Sequence, residues 1–152
     1  MTPQQKAFLD MIASSEIGEG LLSVSDNGYD VLVGSTFSHP LLFHSYADHP
    51  NVFNPVCNST AAGRYQLLHR YFDAYAKQLG LPDFSPDSQD KIALQQIKEC
   101  HALDDIEVGN INAAIAKCSN IWASLPGNTY GQHMNNREDL LQAFVDAGGV
   151  LA

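Results

Sequence analysis

Apolar residues recur at helical spacing on both sides of one polar, turn-rich stretch. That order restricts the chain to a mainly helical fold carrying a small non-helical insert. The first helix opens at "TPQQ": Thr2 is an N-cap, Pro3 suits the first helical position, and Gln5 completes a capping box. Phe8, Ile12 and Glu16 follow at i, i+4 and i+8 and therefore share one face, and Gly18 and Gly20 end the helix. A second helix is read from "TAAGRYQLLHRYFDAYAKQLG", with Leu68, Tyr71, Phe72, Tyr75 and Leu79 on one face and Gly80 as its stop. Its aromatic mass marks it as the expected central helix of the core. "SPDSQDKIALQQIKEC" gives a third, with Ser85 as N-cap and Pro86 at the first position. "NINAAIAKCSNIW" contains a shorter fourth, and "NNREDLLQAFVDAGG" the last, capped by Asn135 or Asn136 and ended by Gly148.

Between the first two helices, "GYDVLVG" (28–34) reads as a short strand and "LLFHSYADHP" (41–50) as its partner, with "STFSHP" turning between them. No linker or repeat divides the 152 residues, so one α+β domain over 1–152 is expected.

Charge narrows the partners. Eight Lys and Arg against seventeen Asp and Glu give a net of −9, which argues against nucleic acid or an anionic membrane, because both require a basic surface. No apolar run approaches the ~18 residues of a membrane span. No stretch at the N-terminus combines basic residues, an apolar run and a small-residue cleavage site, so accumulation in a cytoplasm is expected. Cys57, Cys100 and Cys118 form no CxxC pair and are read as reduced thiols. His39, His44 and His49 recur every five residues, which matches no standard zinc spacing, so neither metal nor cofactor is expected.

Glu16 is the exceptional residue. A soluble helix normally places charge away from its apolar face. Near a helix C-terminus, the dipole and partial burial both disfavour the ionised carboxylate, which is the environment of a general acid. The alternative is a last-turn residue whose side chain reaches water. "GRYQ" offers an amide, a guanidinium and a phenol, groups that suit an N-acetylated sugar. The competing assignment makes Tyr65 a core residue and pairs Arg64 with an acid. "SNIWASLPGNTYGQ" (119–132) mixes Trp, Tyr, Asn, Ser and Gln in turn-like sequence, a common setting for binding loops.

Together these segments resemble the bacteriophage lambda endolysin family, peptidoglycan lytic transglycosylases with a lysozyme-like fold. The matching stretches are "KAFLDMIASSE" (6–16), "NGYDVLVG" (27–34), "DHP" (48–50), "AGRYQLL" (62–68), "DAYAKQLGLPDFSPDSQD" (73–90), "ALQQIKE" (93–99) and "CSNIWASLPGNTYGQ" (118–132). They run in the same order and cover most of the chain. The resemblance implies that Glu16 is the catalytic glutamate and that the small sheet forms one lip of a sugar cleft. It implies glycan contacts from Tyr29, Asp30, Arg64, Tyr65, Gln66, Ser124, Tyr130 and Gln132. It also implies a monomer that acts on peptidoglycan glycan strands in the periplasm and depends on a holin-type pore for release. The segment between Gly34 and Asp48 is longer here than in the family, the loop before "AGRYQ" is shorter and carries Cys57, the tail beyond Gln132 is only loosely similar, and the chain is far more acidic.

One glutamate can suffice for such a reaction. A raised-pKa carboxylic acid protonates the leaving oxygen. A hydrolase then needs a second carboxylate, whereas a transglycosylase uses the muramic 6-hydroxyl to close a 1,6-anhydro ring. Phage lysozymes of the T4 type carry Asp nine residues after the glutamate and Thr six further on, and those steps land here on Ser25 and Val31. Glu19, Asp26 and Asp30 lie close by and read as solvated turn residues. Two other functions stay open: a hydrolytic lysozyme using Asp26 or Asp30, and a non-catalytic peptidoglycan-binding virion component.

Overall fold

The computed structural model describes residues 1–127 and 135–152. Among them lie seven helices: α1 (Pro3–Glu16), α2 (Glu19–Ser23), α3 (His69–Leu79), α4 (Pro86–Glu99), α5 (Leu103–Glu107), α6 (Ile111–Cys118) and α7 (Arg137–Asp146). The chain divides into two units, one of residues 1–16 and 93–152 and the other of residues 17–92, with the boundary inside α4.

The first unit is organised around α1. The Thr2 amide donates to Gln5 Oε1 and the Gln5 amide to Thr2 Oγ1, each at 3.1 Å, so the capping box closes as the sequence predicts. Ala7, Phe8, Leu9, Met11, Ile12 and Ala13 of α1 are buried, and the helix packs against α5 and α7. Burial of side chains the size of Phe8 or Ile12 contributes about 1.5–3 kcal/mol each, enough to fix the helix in place. At the far end, Asn136 caps α7 by accepting from the Glu138 amide at 2.7 Å, and Gly148 takes the positive φ of 96° that follows the helix. The Cys118 thiol is fully buried and pushed up by that burial, which makes it an inert core side chain.

The core helix of the first unit is therefore α1, while the aromatic helix expected from the sequence to be central, α3, lies in the second unit. In α3 only Phe72 is buried, while Tyr71 is 46% exposed with the Arg70 guanidinium 4.9 Å over its ring. Aromatic periodicity registers an amphipathic face but not how deeply that face is covered. The helix also begins later than expected. "GRYQ" precedes it in a tight turn closed by the Ala62–Leu67 bridge, where Gly63 and Gln66 take φ values of 85° and 53°. Left-handed residues cannot continue an α-helix, so α3 starts only at His69.

The second unit is built on a cluster of Phe43, Ala62, Leu67, Phe72, Phe84 and Ile92. The rings of Phe72 and Phe84 meet edge-on at 5.2 Å, and His49 lies 4.9 Å from Phe84. His49 is wired into this core: Nε2 donates to the Leu67 carbonyl at 2.8 Å, and Nδ1 accepts from the Asn51 amide at 3.0 Å. The expected sheet is reduced to isolated antiparallel bridges, Val31 with Leu42 and Leu32 with Ala62. Asn27, Gly28 and Gly34, with φ of 50°, 86° and 85°, turn the chain at both ends of the segment and leave too few residues for a continuous ladder. Short bonds still tie it on both sides, Leu32 to the Leu41 carbonyl at 2.8 Å and Val33 to the Ala61 carbonyl at 3.0 Å. At the start of α4, the Ser88 amide donates to Ser85 Oγ at 3.3 Å, as expected for the N-cap.

Candidate active site

Glu16 ends α1, one helical register beyond Ile12 and two beyond Phe8, both fully buried. The Ser124 hydroxyl donates to Glu16 Oε1 at 2.8 Å. Burial pushes the Glu16 carboxyl up to about 7 from an ordinary 4.5, and the hydrogen bonds from the Ser124 side chain and backbone act against that shift. Desolvation outweighs the two donors. The outcome is a carboxyl that exchanges its proton near neutral pH, as acid–base catalysis requires. Glu16 keeps intermediate exposure, so its carboxyl is held by Ser124 at the edge of the buried helix face. Glu19, by contrast, is exposed in the first turn of α2, after Gly18 at φ 88° has redirected the chain.

Ser124, expected from the resemblance to contact glycan, is thus the hydrogen-bond partner of Glu16. Ser15 and Asn135 complete the cluster. Ser15 Oγ lies 2.8 Å from Ser124 Oγ, and Asn135 Nδ2 lies 2.8 Å from Ser15 Oγ. Sequence reading assigned no site role to either. The signal was local and ambiguous, because Ser15 sits within "SSE" and Asn135 reads as a helix cap.

The second unit assembles Tyr29, Arg64 and Tyr65 around Asp90 and Gln89. The Tyr65 and Tyr29 hydroxyls both donate to Asp90 Oδ1, at 2.6 and 2.9 Å. The Arg64 side chain donates to the Tyr65 oxygen at 3.0 Å and through Nε to the Asn27 carbonyl at 3.0 Å, and its guanidinium lies 5.3 Å from the Tyr29 ring centre. Burial, with Asp90 next, pushes the Tyr29 phenol up to about 12, and burial likewise raises Tyr65, so both remain hydroxyl donors. Gln89 stitches the turn together: Oε1 accepts from the Arg64 amide at 2.9 Å, and Nε2 donates to the Tyr29 and Phe84 carbonyls at 3.0 Å each. A β-carbon at Gly63 would stand 2.3 Å from Gln89 Oε1, so glycine is required there twice over, by contact and by φ.

Arg64 and Tyr65 are buried, at 5% exposure each, and Gln66 Nε2 donates to the Gly63 and Val31 carbonyls at 2.8 and 3.3 Å. These groups organise the turn itself. Gln89 and Asp90 were not picked out in the sequence because a helix N-terminal turn rich in polar residues reads first as capping. Asp30 Oδ1 accepts from the Asp26 amide at 2.9 Å, and Asp26 Oδ2 accepts from the Tyr46 hydroxyl at 2.6 Å. The Asp30 carboxylate is thus engaged within its own turn, and the Asp26 carboxylate by Tyr46 twenty residues on. Tyr130 and Gln132 lie outside the described residues.

Comparison with known proteins gives one consistent answer. A family model described as Endolysin matches residues 6–151. The endolysin of Escherichia phage lambda is 54% identical over 152 residues, covering 97% of this chain and 93% of that protein. The endolysin of Escherichia phage P2 is 49% identical, covering 96% and 93%. Among solved structures, bacteriophage lambda lysozyme complexed with a chitohexasaccharide superposes with a TM-score of 0.91 at 52% identity, covering all of this chain (100%) and 98% of that one. A second structure of lysozyme from bacteriophage lambda gives 0.87 at the same 52% identity and the same coverage, 100% and 98%. The fold is thus the mainly helical, lysozyme-like α+β fold, and the chain belongs to the endolysin family.

Proposed function

We propose that this protein degrades bacterial peptidoglycan by cleaving the β-1,4 bond between N-acetylmuramic acid and N-acetylglucosamine, as a lytic transglycosylase with Glu16 as its single catalytic carboxyl. The observation that carries the reading is Glu16 itself, partly buried, held by Ser124 and pushed up to about 7. In its neutral form it protonates the departing glycosidic oxygen. The resulting carboxylate accepts the proton of the muramic 6-hydroxyl as that oxygen attacks the anomeric carbon and closes the 1,6-anhydro ring. A group with a pKa near the working pH serves both steps, because it neither holds its proton too tightly nor loses it too soon.

A glycan substrate is supported by the chitohexasaccharide in one similar structure, an oligomer of β-1,4-linked N-acetylated sugars. Tyr29, Asp30, Arg64, Tyr65, Gln66, Ser124, Tyr130 and Gln132 are the residues proposed to contact or frame it. The engagement of Asp30 by the Asp26 amide and of Asp26 by the Tyr46 hydroxyl supports a mechanism without a second carboxylate. The whole chain acts as one muralytic domain and as a monomer, without cofactor. It accumulates in the host cytoplasm and reaches the periplasmic wall through a separate holin-type pore protein. No helix of the described residues is long and apolar enough to cross a membrane.

Mass spectrometry of digested peptidoglycan tests the reading. Anhydro-muramic ends are expected. Reducing ends would replace the proposal with a hydrolase using Asp26 or Asp30, and an undigested wall would leave a binding module.

A further inference from the structure

Three side chains stand in line behind Glu16, and the chemistry of bond cleavage uses none of them directly. Asn135 Nδ2 lies 3.1 Å from the Ser15 carbonyl and 2.8 Å from Ser15 Oγ. A carbonyl can only accept, so the nitrogen of the Asn135 amide must face Ser15, which fixes the orientation of that amide. Ser124 has one hydroxyl hydrogen and donates it to Glu16 Oε1. The 2.8 Å contact between the two serine hydroxyls must then be donated by Ser15. Every bond in the chain points the same way, from Asn135 through Ser15 and Ser124 to Glu16. The Asn135 amide adds an anchor by donating from its backbone to the Ser124 carbonyl at 2.8 Å.

From this geometry we infer that Asn135 and Ser15 are positioning residues, acting through Ser124 to keep a hydroxyl donor on Glu16 Oε1. The inference rests on the reading of Glu16 as the general acid. A serine hydroxyl left to itself turns between several acceptors. Here Ser15 supplies its own hydrogen to Ser124, and Asn135 occupies one of the two acceptor positions of Ser15 Oγ, which directs the Ser124 hydrogen toward Glu16. The donor is most valuable when Glu16 is ionised, after it has protonated the leaving group, because hydrogen bonds to a charged group are the stronger ones. The relay therefore stabilises the carboxylate that must next act as base. Asn135 also satisfies a carbonyl in the last turn of α1, where backbone acceptors lack helical partners.

No charge competes with this arrangement among the described residues. Around α1, Lys6 pairs with Asp10 at 2.7 Å, Glu107 of α5 accepts from Thr2 Oγ1 at 2.7 Å, and Asp105 of α5 pairs with Lys117 at 2.6 Å. On α7, Asp146 accepts from Gln142 at 2.8 Å, and Arg137, Glu138 and Asp139 lie in its first turn. None of them contributes to the shift at Glu16, which comes from burial and Ser124.

The test is the pH–rate profile of Ser15→Ala, Ser15→Thr and Asn135→Ala on a purified soluble glycan fragment of peptidoglycan, with a melting curve for each variant and Glu16→Gln as reference. Losing a net hydrogen bond of about 0.5–1.5 kcal/mol should lower kcat roughly two- to tenfold at unchanged KM. The same loss should move the alkaline limb upward by about 0.4–1 pH unit, because the carboxylate has lost support. Ser15→Thr keeps the hydroxyl and should restore the limb. Ser15→Ala provides the test even if Asn135→Ala fails to fold. An unmoved limb in folded Ser15→Ala, beside an inactive Glu16→Gln, would overturn the relay while leaving the assignment of Glu16 intact. An active Glu16→Gln would overturn both.

Discussion

The Ser124 hydroxyl meets Glu16 Oε1 at 2.8 Å across 108 residues of sequence. The pair joins the last residue of a buried helix to a loop near the other end of the chain. It sets opposing influences on one carboxyl: burial favours the neutral acid, and the hydroxyl favours the anion.

Glu16→Gln keeps volume and the acceptor for Ser124 but cannot deliver a proton. Lysis of a cell-wall suspension, followed by turbidity, should fall by at least the ~10²–10⁴-fold typical of a general acid. Glu19→Gln should lyse at nearly the parental rate, since Glu19 is exposed on α2. The reverse pattern would show that the wrong carboxyl had been assigned.

The same substitution should change stability in a pH-dependent way. Glu16 binds its proton more tightly folded, at about 7, than unfolded, near 4.5. Between those values the folded state holds more protons, so stability falls as pH rises. Its favourable contribution is complete below the unfolded value and lost through the folded one. Glu16→Gln should therefore raise the melting temperature at pH 8, with a gain on the order of 3 kcal/mol at most, and do little at pH 4. Equal shifts at both pH values would contradict the linkage.

His49 should act on the opposite side. Burial lowers its pKa in the fold, so the unfolded chain binds the proton more readily. Stability from the neutral ring is present above about 6.5 and is lost as pH falls through the lower folded value. Denaturant midpoints of the parent should drop on acidification in this range, and His49→Gln should flatten that dependence. A variant with the parental acid slope would assign the effect to other groups.

Gln66→Ala should cost stability. From the sequence, its amide is expected to serve the glycan beside the cleft without a part in core packing. In the structure it donates to two backbone carbonyls and holds a left-handed turn. Both carbonyls keep a backbone donor, the Gly63 amide on Val31 and the Gln66 amide on Gly63, so losing the side-chain bonds should destabilise the protein by about 0.5–1.5 kcal/mol, read as a lower urea midpoint. An unchanged midpoint with slower cleavage would show that the amide acts on the substrate and not on the turn.

The net charge of −9 predicts a salt response. If repulsion from anionic wall polymers limits encounter, moderate salt should raise the lysis rate by screening it. A rate that declines steadily from low salt upward would count against that mechanism.

The sequence by itself determined the elements whose causes are local. The Thr2–Gln5 capping box, the Ser85 and Asn136 caps and the glycine after α7 each depend on residues within one turn, and each is realised. The position of Glu16 on the buried face of α1 follows from spacing alone, and so was visible before any packing was known. The short helices α2 and α5 escaped because five residues carry too little periodicity to register. Burial and partnership were not local and were decided only by the tertiary structure. It covered α1 more deeply than the aromatic α3, turned "GRYQ" into a left-handed turn locked by Gln89, and reduced the expected sheet to isolated bridges. It also brought Ser124 and Asn135 to the end of α1, more than a hundred residues along the chain. A hydrogen bond between such distant residues leaves no periodic trace in sequence, because its geometry exists only once the intervening chain has folded.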